Sequence, residues 1–205
     1  MGPDKSERWN VRRFEKIILT DCDGVLLNWE QGFHHWMIRH GYEMKGDWDL
    51  TYDIAEKYGL DTDTKKHLVK MFNENADIGY LAPLRDAVKY VRKIHEELGY
   101  TFIVCTSLTK SENAQDLRIW NLQKLFGKTV FSKFHFLNTG EDKDEVLSMP
   151  QYKDSGYFWV EDKYENAACG EKWGLNSCLI KHGHNKHVKE FPLFENWQEL
   201  YESLK

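Results

Sequence analysis

The stretch Lys16 to Leu27, KIILTDCDGVLL, constrains this 205-residue chain more than any other. An apolar run, Ile17 to Leu19, breaks off into Asp21 and Asp23, and Gly24 follows. That is the pattern of a buried strand ending in a polar loop. Extended residues alternate faces, and the glycine admits a tight turn that aims both carboxylates at one place. Neighbouring carboxylates repel, so they hold a metal ion between them, or one keeps its proton and can act as an acid. A solvated turn is the plainer alternative, because Asp and Gly are ordinary turn residues.

The rest of the chain alternates strands and helices. Asn28 and Gln31 form a capping box for a helix from Trp29 to His40, ended by Gly41, and a second helix is expected from Asp63 to Asn75. The segment between them carries aromatics and turn residues without clean periodicity. Pro83 opens a helix whose stripe is Leu84, Ala87, Val88, Val91, Ile94 and Leu98. Thr101 to Cys105 is a buried strand leading to Thr106 and Ser107, and Ser111 caps a helix with Ile119, Leu122 and Phe126 on one face. Strands at 134–137, 157–160 and 177–180 follow, with helices at 143–148 and 165–173 among them and a last one capped by Asn196. Such alternation predicts an α/β fold, a Rossmann-like parallel sheet covered on both faces, with ligands bound at the carboxyl ends of its strands. The expected division is a core of residues 14–27 and 82–205, with residues 28–81 inserted as a small helical cap.

Composition narrows the function. The net charge of −5, with Lys and Arg dispersed, gives no footprint for a nucleic-acid polymer and favours small-molecule chemistry. No run is apolar enough to span a bilayer and the start lacks a secretory signal, so a cytoplasmic protein with no membrane partner is expected. Oligomeric state is not encoded legibly. The four cysteines, Cys22, Cys105, Cys169 and Cys178, contain no C-x-x-C pair and read as reduced and structural. Cys22 as a nucleophile is the alternative, but flanking carboxylates disfavour its thiolate. His182, His184 and His187 invite a zinc reading that lacks a partnering Cys or acid.

The polar residues at the strand ends are Asp21 with Asp23, Thr106 with Ser107, Lys143, and Glu161 with Asp162. In this order the chain resembles the haloacid dehalogenase (HAD) superfamily of phosphohydrolases, over Lys16 to Ile180. TDCDGV resembles the first motif, IVCTSL the second, GEDKDEV supplies the third-motif lysine, and FWVEDKYENA resembles the fourth. The resemblance implies a Mg²⁺-dependent phosphomonoesterase acting on a small phosphorylated metabolite. Asp21 is then the nucleophile, Asp23 the acid/base, and Thr106 the hydroxyl on the phosphoryl group. Lys143 is the motif lysine, with Lys153 as the alternative, and Mg²⁺ is held by Asp21, Asp162 and the Asp23 backbone carbonyl. Loop amides after the first strand are expected to take further phosphoryl oxygens. The chain departs from the family at Glu161 and Asn166. Asn166 keeps an oxygen but no charge, which implies weaker metal affinity or a role orienting Lys143 or a water.

The insertion holds Trp29, Phe33, Trp36, Tyr42, Trp48, Tyr52 and Tyr58, more rings than so short a segment needs for its own core. Packing accounts for much of it. Helical spacing also sets Phe33 and Trp36 on one face, so the expectation is a ring row lining the cleft, with Arg39 and Ser107 as further substrate contacts. Stacking on that row favours a nucleoside monophosphate over a sugar phosphate. The short CTS sequence at Cys105 to Ser107 resembles deoxyribonucleotidases and points the same way. Lys45 and Lys57 are the insertion's candidates for a Schiff-base lysine of phosphonatase type, though the sequence shows no reason for either to be desolvated.

Overall fold

The computed structural model describes residues 16–45 and 53–205, built on a six-stranded parallel sheet. Strand β1, Ile17–Thr20, pairs with β2, Thr101–Ser107, on one side and with β4, Phe158–Glu161, on the other. Outside β2 lies β3, Phe131–Leu137, and beyond β4 lie β5, Asn176–Ile180, and β6, Leu193–Phe194. The order β3-β2-β1-β4-β5-β6 switches direction between β1 and β4. In a doubly wound sheet that switch opens a crevice at the carboxyl ends of those two strands, which is where Asp21 and Asp162 lie.

Alternation along β1 explains why both faces are covered. Ile18 joins Val104, Val160, Val91 and Leu122 in the larger apolar cluster, while Leu19 joins Ile103, Trp159 and Leu147 on the opposite face. Helices α4, Ala87–Leu98, α5, Glu112–Phe126, and α8, Trp197–Ser203, contribute to the first cluster. The short α6, Asp144–Leu147, contributes Val146 and Leu147 to the second, and α7, Tyr164–Lys172, adds Cys169 at its edge. Among the described residues no helix is long and apolar enough to cross a membrane.

Between β1 and α4 the chain forms α1, Trp29–Arg39, α2, Ile54–Tyr58, α3, Thr62–Glu74, and a 3-10 turn, Ala76–Tyr80. Asn28 caps α1 by accepting from the Gln31 amide at 3.2 Å. The segment leaves and returns at adjacent points: Asn28 N donates to Ala82 O and Leu84 N to Leu26 O, each at 2.9 Å. This return corrects the expected helix start at Pro83. Pro83 bridges Leu27, Arg85 takes a left-handed φ of 42°, and α4 begins only at Ala87. The short α2 and β6 were not expected from periodicity. Trp48 and Tyr52 lie outside the described residues.

Candidate active site

Asp21 leaves β1 with its amide still donating to Val160 O at 2.9 Å, so the ladder with β4 sets the carboxylate beside that strand's end. Ligand oxygens of Asp21, Glu161 and Asp162 lie within 4.8 Å of one another, and all three residues are buried. Gly24 makes this approach possible. Its φ is +76°, and a Cβ there would sit 2.5 Å from Asp162 Oδ2.

The three acids are not equivalent. Glu161 Oε2 accepts from the amides of Asp162 and Lys163, each at 3.0 Å, and Oε1 accepts from Asn166 Nδ2 at 2.8 Å. Asn166 therefore orients Glu161, and not Lys143 as one reading of the sequence expected. Glu161 in turn shapes the loop that carries Asp162. Burial, then the charge of Asp21, pushes the Glu161 carboxyl up to about 7. Burial and the neighbouring Glu161 and Asp21 push Asp162 well above the usual carboxylate range. Positive charge in their midst would relieve both.

Lys143 supplies one such charge. Its Nζ donates to Asp21 Oδ1 at 3.0 Å and to Cys105 O at 2.7 Å, and the residue is 2% exposed. Burial works against its ammonium, yet Asp21 and its other anionic neighbours hold the pKa above the usual lysine range. The next residue fastens it in place: Asp144 accepts from Trp173 Nε1 at 3.0 Å and Cys169 Sγ at 3.1 Å, and pairs with Lys172. Lys153 is exposed and lies over the Trp173 ring, 5.5 Å from its centroid. Thr106 Oγ1, buried beside this group in the cavity wall, has no hydrogen-bond partner among the described residues. An unpaired buried hydroxyl is costly, and one in a cavity wall is an open offer to a ligand oxygen.

Asp23 faces a residue that the sequence reading passed over. Arg118, fully buried in α5, donates from Nη1 to Asp23 Oδ1 and to Cys22 Sγ, the latter at 2.9 Å. Burial raises the Asp23 pKa, while Arg118 opposes the rise. Burial, against the pull of Arg118, pushes the Cys22 thiol up to about 12, which leaves it protonated and inert. Arg118 occupies the helical stripe Ala114, Arg118, Leu122, so a charge at a core position was the signal available. The amides of Gly24, Val25, Leu26 and Leu27 are all spent on carbonyls within the loop, so these four do not serve a ligand as the sequence suggested.

These groups floor a cavity of about 680 Å³ whose opposite wall is the helical segment. Ser107 lines it and donates to Glu141 O at 3.2 Å. Phe33 and Trp36 do not line it. They are 2% and 4% exposed, packed on Phe72 at centroid distances of 5.4 and 5.9 Å, because α1 turns that face toward α3. Arg39 pairs with Asp77, also away from the cavity. The aromatic that does reach the cavity is Trp29, stacked on Phe33 at 4.9 Å and donating from its indole to Asn73 Oδ1 at 2.8 Å. Lys57, contrary to expectation, is desolvated at 1% exposure, and its ammonium pairs with Glu30.

The histidine loop packs over the loops after β1 and β4 without forming a zinc site. His182 Nε2 donates to Gly24 O at 2.6 Å and His184 Nε2 to Asp162 O at 3.1 Å, while His187 is exposed. Burial pushes His182 down to about 4, so it acts as a neutral clamp on the loop after β1.

No family model matches the chain. A curated relative, an uncharacterised 32.4 kDa protein of the Gp30–rIII intergenic region of Enterobacteria phage T4, is 26% identical over 150 residues, 71% of this chain. The alignment spans 53% of that relative, about half its length. Among solved structures, a haloacid dehalogenase-like hydrolase from Streptococcus pneumoniae superposes with a TM-score of 0.65 at 13% identity, over 94% of this chain and 99% of its own. A predicted phosphatase from Clostridium acetobutylicum gives 0.66 at 12%, over 93% and 98%. The HAD-hydrolase candidate YfnB from Bacillus subtilis, solved bound to magnesium, gives 0.60 at 14%, over 93% and 99%. The chain thus has the HAD fold.

Proposed function

We propose that the chain is a Mg²⁺-dependent phosphomonoesterase working through an aspartyl-phosphate on Asp21. The reading is carried by one meeting of groups: Asp21, Asp162 and Lys143 converge beside the unpartnered hydroxyl of Thr106 at the switch point of the sheet. The donor set suits the metal, being hard oxygen throughout, with Glu161 committed to amides and so left as support. Asp21, Asp162 and the Asp23 carbonyl would hold Mg²⁺, which supplies the charge that lets an anionic nucleophile meet a phosphate dianion.

This chain's residues account for the remaining steps. Asp21 attacks phosphorus as the bond to the ester oxygen breaks, with Lys143 and Thr106 on the phosphoryl oxygens. Asp23, whose pKa burial raises, protonates the departing oxygen. It then takes a proton from the water that opens the acyl phosphate, releasing inorganic phosphate and restoring Asp21. The described helices between β1 and α4 act as a cap that shields this intermediate from bulk water. For the substrate, Trp29 takes over the stacking role first read into Phe33 and Trp36, which supports a nucleoside monophosphate.

Phosphate release from p-nitrophenyl phosphate, with and without Mg²⁺, tests the activity. Wild type should turn over only with metal, and Asp21→Asn should lose activity by about a thousandfold or more while remaining folded. Retained turnover in that variant would overturn the nucleophile assignment. For the substrate, kcat/KM for nucleotides should exceed that for triose and hexose phosphates, and Trp29→Leu should raise the nucleotide KM. Equal values across the panel would remove the nucleotide reading and leave the esterase.

A further inference from the structure

We infer that the cavity takes phosphate esters bearing a second anionic group, a phosphate or a carboxylate, held by the cations of the wall opposite Asp21. The inference rests on the phosphomonoesterase reading of the same cavity and adds the charge of the substrate's far end.

The transferred phosphoryl group is already served by Lys143, Thr106 and the metal-binding carboxylates. Besides Lys143, and Lys163 next to Asp162, four cations among the described residues line the cavity: Lys57 from α2, Lys65 and Lys66 from α3, and Arg85 where the chain returns to the core. Surface lysines are commonplace, and Lys66, which is exposed, would fit that description alone. Lys57 does not. An ammonium at 1% exposure is costly to bury, and it pairs with Glu30 at the cavity wall.

Arg85 is the second anomaly. It is a non-glycine at a φ of 42°, and its guanidinium donates to Glu195 O and Lys181 O, each at 2.6 Å. Those carbonyls fix the group without cancelling its charge, and strained backbone of this kind persists where surrounding structure enforces it. Of the four cations, Lys57 pairs with Glu30 and Lys65 with Asp53 at 3.0 Å. Among the described residues the cavity lining on this side therefore keeps two positive charges in excess, Lys66 on the helical wall and Arg85 where that wall meets the core, in a chain whose net charge is −5. The acids of the cavity rim, Glu141 and Asp142, sit on the loop between β3 and α6 instead. The field across the cleft is polarised, and a second anion is drawn to the helical side.

Matched substrate pairs test this in the presence of Mg²⁺. The pairs are adenosine 5′-monophosphate against adenosine 3′,5′-bisphosphate, glycerol 3-phosphate against 3-phosphoglycerate, and ethylene glycol phosphate against phosphoglycolate. The doubly anionic member of at least one pair should be preferred in kcat/KM by about tenfold or more, and rising salt should shrink the preference. The bisphosphate and carboxylate arms tell which group is read. In the double variant Lys65→Ala, Lys66→Ala the preference should fall to about threefold or less, while Lys65→Arg, Lys66→Arg should keep it. Turnover without preference in any pair, or a preference that survives the alanine variant, overturns the inference and spares the esterase. If no ester is turned over, the esterase reading falls, and calorimetric binding of the same pairs still decides this one: equal affinities refute it.

Discussion

Gly24 and Arg118 are the residues on which the geometry of the two aspartates depends. At Gly24 any side chain meets two obstacles, a φ of +76° and an Asp162 oxygen 2.5 Å from the Cβ position. Gly24→Ala should therefore cost about 1–2 kcal/mol of stability, and raise the Mg²⁺ concentration for half-maximal activity, as Asp162 is pushed aside. An unchanged metal requirement would mean that the loop gives way and Asp162 does not. Arg118 couples Asp23 to the core, since Nε and Nη2 are buried without partners among the described residues and Nη1 carries the contact. Asp23→Ala should lose about 3 kcal/mol or more in urea unfolding, because it strands a buried guanidinium, whereas Asp23→Asn keeps an acceptor and should lose less. The same Asn variant should slow alkyl phosphates far more than aryl phosphates, whose leaving group departs without a proton; equal slowing would remove Asp23 as the acid. The paired aspartates were legible because their spacing and the following glycine are local. Arg118 was legible only as a charge on a buried stripe, and its role was not, because its partner lies 95 positions away.

At the scale of elements, what could be read was whatever buries a regular stripe against the sheet. Strands β1, β2 and β4 and helix α4 have such stripes, and α4 departs from its stripe only at the start, where Pro83 bridges Leu27. The helical segment was harder, because helical spacing tells that Phe33 and Trp36 share a face but not what the face meets. It meets α3, and the cleft is left to Trp29 and a polar hub. That hub is Asn73, 3% exposed, which accepts from Trp29 Nε1 and donates to Leu108 O at 3.3 Å and Thr139 Oγ1 at 3.4 Å. Beside it Thr109 Oγ1 donates to Glu74 at 2.9 Å, so the end of α3 is fastened to the loops after β2 and β3. Asn73→Ala leaves buried groups unpaired and should cost about 1–3 kcal/mol. Amide exchange over residues 62–74 should quicken more than in β1, and equal protection in both would mean that the fastening lies elsewhere.

For the whole molecule, the sheet order concentrates acidic groups at one point of the interior, and this has a consequence for stability. Asp21, Glu161 and Asp162 are brought together by the switch between β1 and β4, with Lys143 as the cation in contact with Asp21. Burial first, and mutual repulsion second, make Glu161 and Asp162 bind protons more tightly in the folded chain than in the unfolded one. For Glu161 the window runs from its ordinary 4.5 to about 7. Within it the folded state holds a proton that the unfolded state has released, so stability falls as pH rises. Below the window both states are protonated and the penalty vanishes; above it the penalty is complete. On the proposed function a divalent cation bound among them would reverse the balance, because it would favour the ionised carboxylates and compete with their protons. With a chelator present, the urea midpoint should decline as pH is raised from about 5 to about 7.5, and the gain on adding Mg²⁺ should grow over the same interval. Asp162→Asn should flatten both trends, since it removes a carboxylate that burial and its acidic neighbours hold well above the ordinary range. A midpoint that rises with pH in chelator, or a Mg²⁺ gain that is the same at both ends of the interval, would show that the three acids do not act as one metal-dependent group.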